Sequence, residues 1–158
     1  EGYLIESSEK NVRSIIASLA SKKEKKIIAL FGGGDLFNRR AIETLKINYL
    51  VSPERGFKKD TLKQRDSGLN HVITKEAKKK GITIIINFSE ISSLKGKEKA
   101  IRLEKIIQNI KICRKTGCKI KIASLAKDKI LTIGENERKA LGTSFGMSSE
   151  QTKDSIKF

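Results

Sequence analysis

The sequence predicts a single α/β domain, residues 1–158, in which parallel strands alternate with helices. Three observations point there. Short continuous apolar runs such as Ile27–Phe31 and Ile82–Phe88 read as strands covered on both faces. Amphipathic stretches with apolar residues every three or four positions lie between them. The connections are long enough for right-handed crossovers. That pattern is an α/β fold, and periodicity alone leaves open whether the sheet is doubly wound or an incomplete (β/α) barrel. A chain of 158 residues can bury roughly two-thirds of its unfolded surface.

Tyr3-Leu4-Ile5 reads as a first strand, and Val12, Ile15, Ile16 and Leu19 mark a helix capped by Ser7 or Ser8. Ser21–Lys26 is a charged connection. Ile27–Phe31 is the second strand, followed by Gly32-Gly33-Gly34 and a helix from Asp35, its expected N-cap, to about Leu45. Ile47–Val51 is the third strand. Pro53 ends it and should hold Ser52 extended. After a polar loop, Leu69, Val72, Ile73 and Ala77 form one stripe of a helix capped by Asp66 or Ser67 and ended by Gly81. Ile82–Phe88 is the clearest strand. A helical turn at Glu90–Leu94 precedes a long helix, about Lys97–Lys115, with Ala100, Leu103, Ile107 and Ile110 as its buried face and Gly117 as its stop. Ile120–Ala123 is the fifth strand. Asn136 can cap a helix through Leu141, and Ser148 with Gln151 has the spacing of a capping box.

The apolar fraction is 37% and aromatics make up 5%, so the core must be mainly Ile, Leu, Val and Ala. The formal net charge of +16 is compatible with nucleic acid, an acidic protein or a membrane surface as partner, the alternative being surfaces that are basic throughout a lysine-rich proteome. No apolar run approaches the roughly 18 residues of a spanning helix, and no secretory signal pattern is present. Cys113 falls on a helical apolar stripe and Cys118 just before a strand; both are read as reduced, in a cytoplasmic protein. Opening on Glu1 rather than Met, the sequence is expected to be part of a longer chain.

The charge is concentrated. From Arg55 to Lys80 nine basic residues (Arg55, Lys58, Lys59, Lys63, Arg65, Lys75, Lys78, Lys79, Lys80) face three acids (Asp60, Asp66, Glu76). The lysines ending the helix are explained in part by the helix dipole. Arg55, Lys58, Lys59, Lys63 and Arg65 are not, because they sit in a loop at the carboxyl end of a strand, where α/β proteins bind ligands. Arg55, Arg65 and Lys59 rank first as RNA contacts, since arginine pairs bidentately with phosphate. Arg39 and Arg40, one turn into their helix, can join the same surface. Tyr49 and Phe57 are the nearby aromatics, so recognition of shape and phosphate is favoured over base stacking.

Catalytic signals are thin. Gly32–Gly34 lies between a strand and a helix but matches neither G-x-G-x-x-G nor a Walker A loop, so a permissive turn that lets phosphate approach is favoured over a nucleotide site. His71 is the only histidine and has no nucleophile motif beside it; it is read as structural or as a partner contact. With one His, no Cys/His zinc site can be assembled. Asp66, Glu76, Glu90 and Asp128 read as scattered, so neither a catalytic nor a metal site is expected. A barrel-type metal-dependent hydrolase would need several His and Asp at strand ends. A protein–protein scaffold with incidental charge is the other alternative, and salt dependence separates it from RNA binding.

One stretch resembles a known family. Ser52-Pro53, then Arg65-Asp66-Ser67-Gly68-Leu69-Asn70-His71-Val72, with Lys75 one turn after His71, is similar to the core motif of ribonuclease P protein component 3, the archaeal counterpart of the thirty-kilodalton eukaryotic subunit. Tyr3-Leu4-Ile5, Ile82–Ser89, Ile112–Gly117, the strand reaching Ser124, Lys139–Gly142 and Gly146-Met147 extend the similarity. Gly32–Asn38 and Phe57–Lys63 are less typical of it.

The resemblance implies a (β/α) barrel-like fold shortened at its N-terminus. It also implies a protein subunit of ribonuclease P, which removes the 5′ leader of precursor tRNA. The RNA subunit carries the chemistry and the Mg²⁺ ions, so this chain is expected to hold no cofactor. Expected partners are the ribonuclease P RNA and component 2, as a heterotetramer. Arg65, Asp66, Ser67, Gly68, Asn70, His71 and Lys75 match the motif; the basic residues and Asn70 are expected to face RNA, and Leu69 and Val72 to be core.

Overall fold

The computed structural model describes residues 2–21, 26–56, 66–125 and 132–157. Five strands, β1 (Gly2–Ile5), β2 (Ile27–Phe31), β3 (Tyr49–Val51), β4 (Thr83–Asn87) and β5 (Ile120–Ala123), pair in parallel in the order β1-β2-β3-β4-β5. Helices α1 (Glu9–Ala20), α2 (Asp35–Thr44), α3 (His71–Lys80), α4 (Phe88–Ser93) and α5 (Gly96–Thr116) connect them, with α6 (Glu135–Ser144) and α7 (Ser149–Ser155) after β5. A 3-10 turn, Pro53–Arg55, follows β3.

This wiring decides the question left open above. A doubly wound sheet reverses its strand order at a switch point, whereas consecutive neighbours all joined by right-handed crossovers put every helix on one face. The architecture is α/β and barrel-like.

The register shows why these runs became strands. Ile5, Leu30, Leu50, Ile84 and Ile120 stand in one row across all five strands, all buried on the helix side. Val12 and Ile16 of α1, Ile42 of α2, Ile73 and Ala77 of α3, and Ile106, Ile110 and Cys113 of α5 close over that row. The alternate residues, among them Leu4, Ala29, Tyr49, Val51 and Ile85, line an apolar hollow of about 270 Å³ on the other face. No helix among the described residues is long and apolar enough to cross a membrane.

Several element boundaries differ from expectation. α3 is capped by neither Asp66 nor Ser67 but by Asn70, whose Oδ1 accepts from the N–H groups of Val72 (2.9 Å) and Ile73 (3.0 Å). Starting there turns Val72 outward, 69% exposed, while Leu69 stays buried in the preceding loop and Thr74 joins Ile73 and Ala77 inside. α5 fully buries Ile106, Asn109, Ile110 and Cys113 where α3 packs, while Leu103 and Ile107 are half-buried against the core and Ala100 is exposed. α2 has Gly34, not Asp35, at its N-cap, and α6 starts from Gly134, not Asn136. Ser148 and Gln151 form the expected capping box on α7.

Candidate nucleic-acid interface

The carboxyl ends of β2, β3 and β4 meet in a polar seam organised by Asn38, which is fully buried on α2. Its Oδ1 accepts from the Gly33 N–H (2.8 Å), and its Nδ2 donates to the carbonyls of Gly33 (3.1 Å), Pro53 (2.8 Å) and Gly68 (3.0 Å). One amide therefore joins the loop after β2, the turn after β3 and the loop before α3. Gly32 and Gly68 make room for it. A Cβ on Gly32 would sit 2.6 Å from the Pro53 Cα, and one on Gly68 (φ +77°) 2.0 Å from the Pro53 carbonyl oxygen. Gly32 is thus spent on packing against Pro53 and Asn38, a Cβ on Gly33 would stand 3.3 Å from the Phe37 ring, and of the three only Gly34 has open space around its Cβ position.

Ser52 is not extended. It lies in the left-handed region at φ 46°, ψ 56°, which costs a non-glycine residue about 1–2 kcal/mol. Three bonds fix it there: its N–H to the Ile85 carbonyl (2.9 Å), its carbonyl from the Arg55 N–H (3.1 Å), and its hydroxyl to Glu90 Oε2 (2.5 Å). Those bonds override the bias that the following proline exerts.

Beside Ser52 lies a set of charges. Glu90 pairs with Arg55 Nε (2.8 Å), and Arg55 also reaches Glu6 (2.8 Å) and lies 4.6 Å over the Phe31 ring. Arg102 on α5 stands 3.9 Å from Glu54 and 4.0 Å from Glu90. Burial pushes the Glu54 carboxyl up to about 7, with Arg102 opposing it and Glu90 reinforcing it. Of the acids read as scattered, Glu90 belongs to this seam. Asp66 accepts from the Gly68 N–H, Glu76 pairs with Lys80, and Asp128 lies outside the described residues. Among the described residues no group of three or more His, Cys, Asp or Glu could hold a metal ion.

The basic candidates fall into three sets. Arg39 and Arg40 are exposed on α2 and paired with Glu43 (2.8 Å) and Glu9. His71 and Lys75 are exposed one turn apart on the neighbouring α3, with Asn70 at its cap. Arg55 is turned inward to Glu6, Glu90 and Phe31. Lys58, Lys59, Lys63 and Arg65 lie outside the described residues. Asn38, Glu54 and Arg102 were missed from sequence; the one available signal was a carboxylate, Glu54, directly after a strand-ending Ser-Pro.

Fold and site together define a class: a barrel-like α/β domain whose helices α2 and α3 carry exposed basic residues. Within that class the comparisons converge. No family model matches the chain. The chain is similar to curated proteins named ribonuclease P protein component 3. It is 25% identical to that of Methanothermobacter thermautotrophicus over 85% of its own length and 52% of the relative's. Against Methanocaldococcus jannaschii it is 29% identical over 77% and 49%, and against Thermococcus gammatolerans 26% identical over 92% and 64%. The chain thus spans about half to two-thirds of the length of the curated relatives it matches. A chain in a cryo-EM structure of archaeal ribonuclease P with mature tRNA shares its fold, with a TM-score of 0.74 and 23% identity over 98% of this chain and 62% of that one. The family resemblance read from Ser52–Lys75 extends across most of the chain.

Proposed function

We propose that the chain acts as a protein subunit of ribonuclease P, binding and supporting the catalytic domain of the RNA subunit while the 5′ leader of precursor tRNA is removed. The similarity to component 3 proteins over three-quarters or more of this chain carries the reading. The basic surface supplies its physical basis. In this reading the RNA holds the Mg²⁺ ions and does the chemistry, component 2 is the protein partner, and the complex is cytoplasmic. Lys75, His71, Arg39 and Arg40, with Lys58, Lys59, Lys63 and Arg65, supply phosphate contacts; Asn70 caps the helix that carries His71 and Lys75, and Arg55 pairs with Glu6 and Glu90.

The test is native purification of the protein and sequencing of the RNA that accompanies it. Enrichment of one structured RNA together with leader-cleaving activity supports the reading; no RNA, or a random sample, rejects it. Binding to that RNA should weaken with log[salt] at a slope of roughly −0.7 to −0.9 per phosphate contact. A salt-independent interaction favours a protein scaffold instead.

A further inference from the structure

Cys113 and Cys118 take no part in the polar seam or the basic surface. They lie at the opposite end of the sheet, where α5 turns into β5. We propose that they form a redox modification site, set by that turn to close a disulfide across Gly117.

The backbone brings them together. Gly117 lies at φ +69° and ends α5. The Cys118 N–H donates to the Cys113 carbonyl (3.0 Å) and the Gly117 N–H to the Arg114 carbonyl (3.4 Å). This is the Schellman arrangement, in which the third residue from the helix end packs against the second residue beyond it. Usually both are apolar; here both are cysteines, free and buried. A turn closed by that bond holds the two Cα atoms within roughly the 4.4–6.8 Å that a disulfide spans. The Cys118 Sγ lies 3.9 Å from the Ile82 carbonyl oxygen and 3.8 Å from that of Lys119.

The surroundings make the two sulfurs unequal. Lys78, in the last turn of α3, lies over Gly117, its Nζ 2.8 Å from where a Cβ would stand. The hydrogen bond from Cys113 pulls the Cys118 thiol down, and the Lys78 ammonium adds to this against burial. Donating that bond, and burial, push the Cys113 thiol well up. Cys118 is therefore the attacking thiolate and Cys113 the resolving thiol.

With a hydroperoxide as oxidant, the Cys118 sulfur attacks one peroxide oxygen. An S–O bond forms, the O–O bond breaks, and the other oxygen leaves with a proton as alcohol or water. The Cys113 sulfur then attacks the sulfenic sulfur. The S–S bond forms, the S–O bond breaks, and the hydroxyl leaves as water with the Cys113 proton. Two thiols lose two electrons and the peroxide gains them.

The experiment exposes the reduced, folded full chain to hydrogen peroxide and follows free thiols, intact mass and a tryptic map. Both thiols should disappear together, the mass should fall by two hydrogen atoms, and the peptides Ile112–Arg114 and Thr116–Lys119 should emerge linked. Cys113→Ser should leave Cys118 as a sulfenic acid trapped by dimedone, whereas Cys118→Ser should leave Cys113 unoxidised. Lys78→Met should slow thiol loss about threefold or more. Two thiols still alkylatable after a dose that exhausts free cysteine in parallel, or a main product that is oxygenated or linked between chains, overturns the proposal. The wild-type mass decides even if a variant fails to fold.

Discussion

Replacing Asn38 by alanine tests whether one buried amide holds the loop after β2, the turn after β3 and the loop before α3 together. The substitution leaves the Pro53 and Gly68 carbonyls without the Nδ2 donor that serves them at 2.8 and 3.0 Å. Each buried group left unpaired costs about 1–3 kcal/mol. The Gly33 N–H and carbonyl are only partly buried and can turn to water, so they add little. The expected loss is about 4 kcal/mol, a large share of the ~5–15 kcal/mol that holds a domain folded. Urea unfolding followed by far-ultraviolet circular dichroism measures it. With a slope of about 2 kcal/mol per molar, the midpoint should fall by about 2 M. Asn38→Asp should be worse, because it sets a carboxylate oxygen against two carbonyl oxygens. A loss under about 1 kcal/mol for the alanine variant would refute the reasoning, since it would mean that water reaches both carbonyls and the glycines alone define the junction.

Glu54 gives a pH signature. Its folded value of about 7 lies above the ordinary 4.5, so the neutral form favours folding. That contribution is complete below pH 4.5 and fades as pH rises to about 7, by as much as ~3 kcal/mol. Glu54→Gln should flatten this part of the stability profile and raise the urea midpoint at pH 8; an unchanged profile would show that Arg102 keeps the group ionised. Asn70→Ala should cost about 1 kcal/mol as a lost cap, and measured RNA affinity should fall no further than that of a stability-matched core variant. Lys75→Ala should leave the urea midpoint in place and lower the slope of log K against log[salt] by roughly 0.7–0.9; an equal slope would remove Lys75 from the interface.

The strands were legible because each is a short apolar run between turn signals, and a parallel sheet covered by helices needs that pattern. What failed was phase. Asp66, Ser67 and Asn70 are all good caps, and stripe counting preferred the earlier ones because Leu69 is apolar. Leu69 is indeed buried, but within a loop turned by Gly68 at φ +77°. Moving the helix start to Asn70 rotates Val72 into solvent. On α5, Ile106 and Ile107 are adjacent, so two overlapping stripes fit the sequence and only the packing of α3 selects between them. The seam was illegible for a different reason. Asn38 meets Pro53 and Gly68, and Ser52 meets Glu90, across chain separations that no local pattern encodes.

Arg55 shows how charge counted along the sequence misleads about charge presented at the surface. From the sequence it ranks with Arg65 and Lys59 as a first RNA contact, since arginine pairs bidentately with phosphate. The structure explains it by the acids it meets: Glu90, held by Ser52, and Glu6 at the end of β1. Glu6 is exposed, but Glu90 is largely buried, where a carboxylate without a counter-charge would be costly. A guanidinium that bonds both and stacks on Phe31 neutralises them and fixes the turn from which the basic loop departs. Its removal would leave Glu90 to a serine hydroxyl and a guanidinium 4.0 Å away. Arg55 is thus held inward by Glu6, Glu90 and Phe31, and the exposed candidates among the described residues are Arg39 and Arg40 on α2 and His71 and Lys75 on α3.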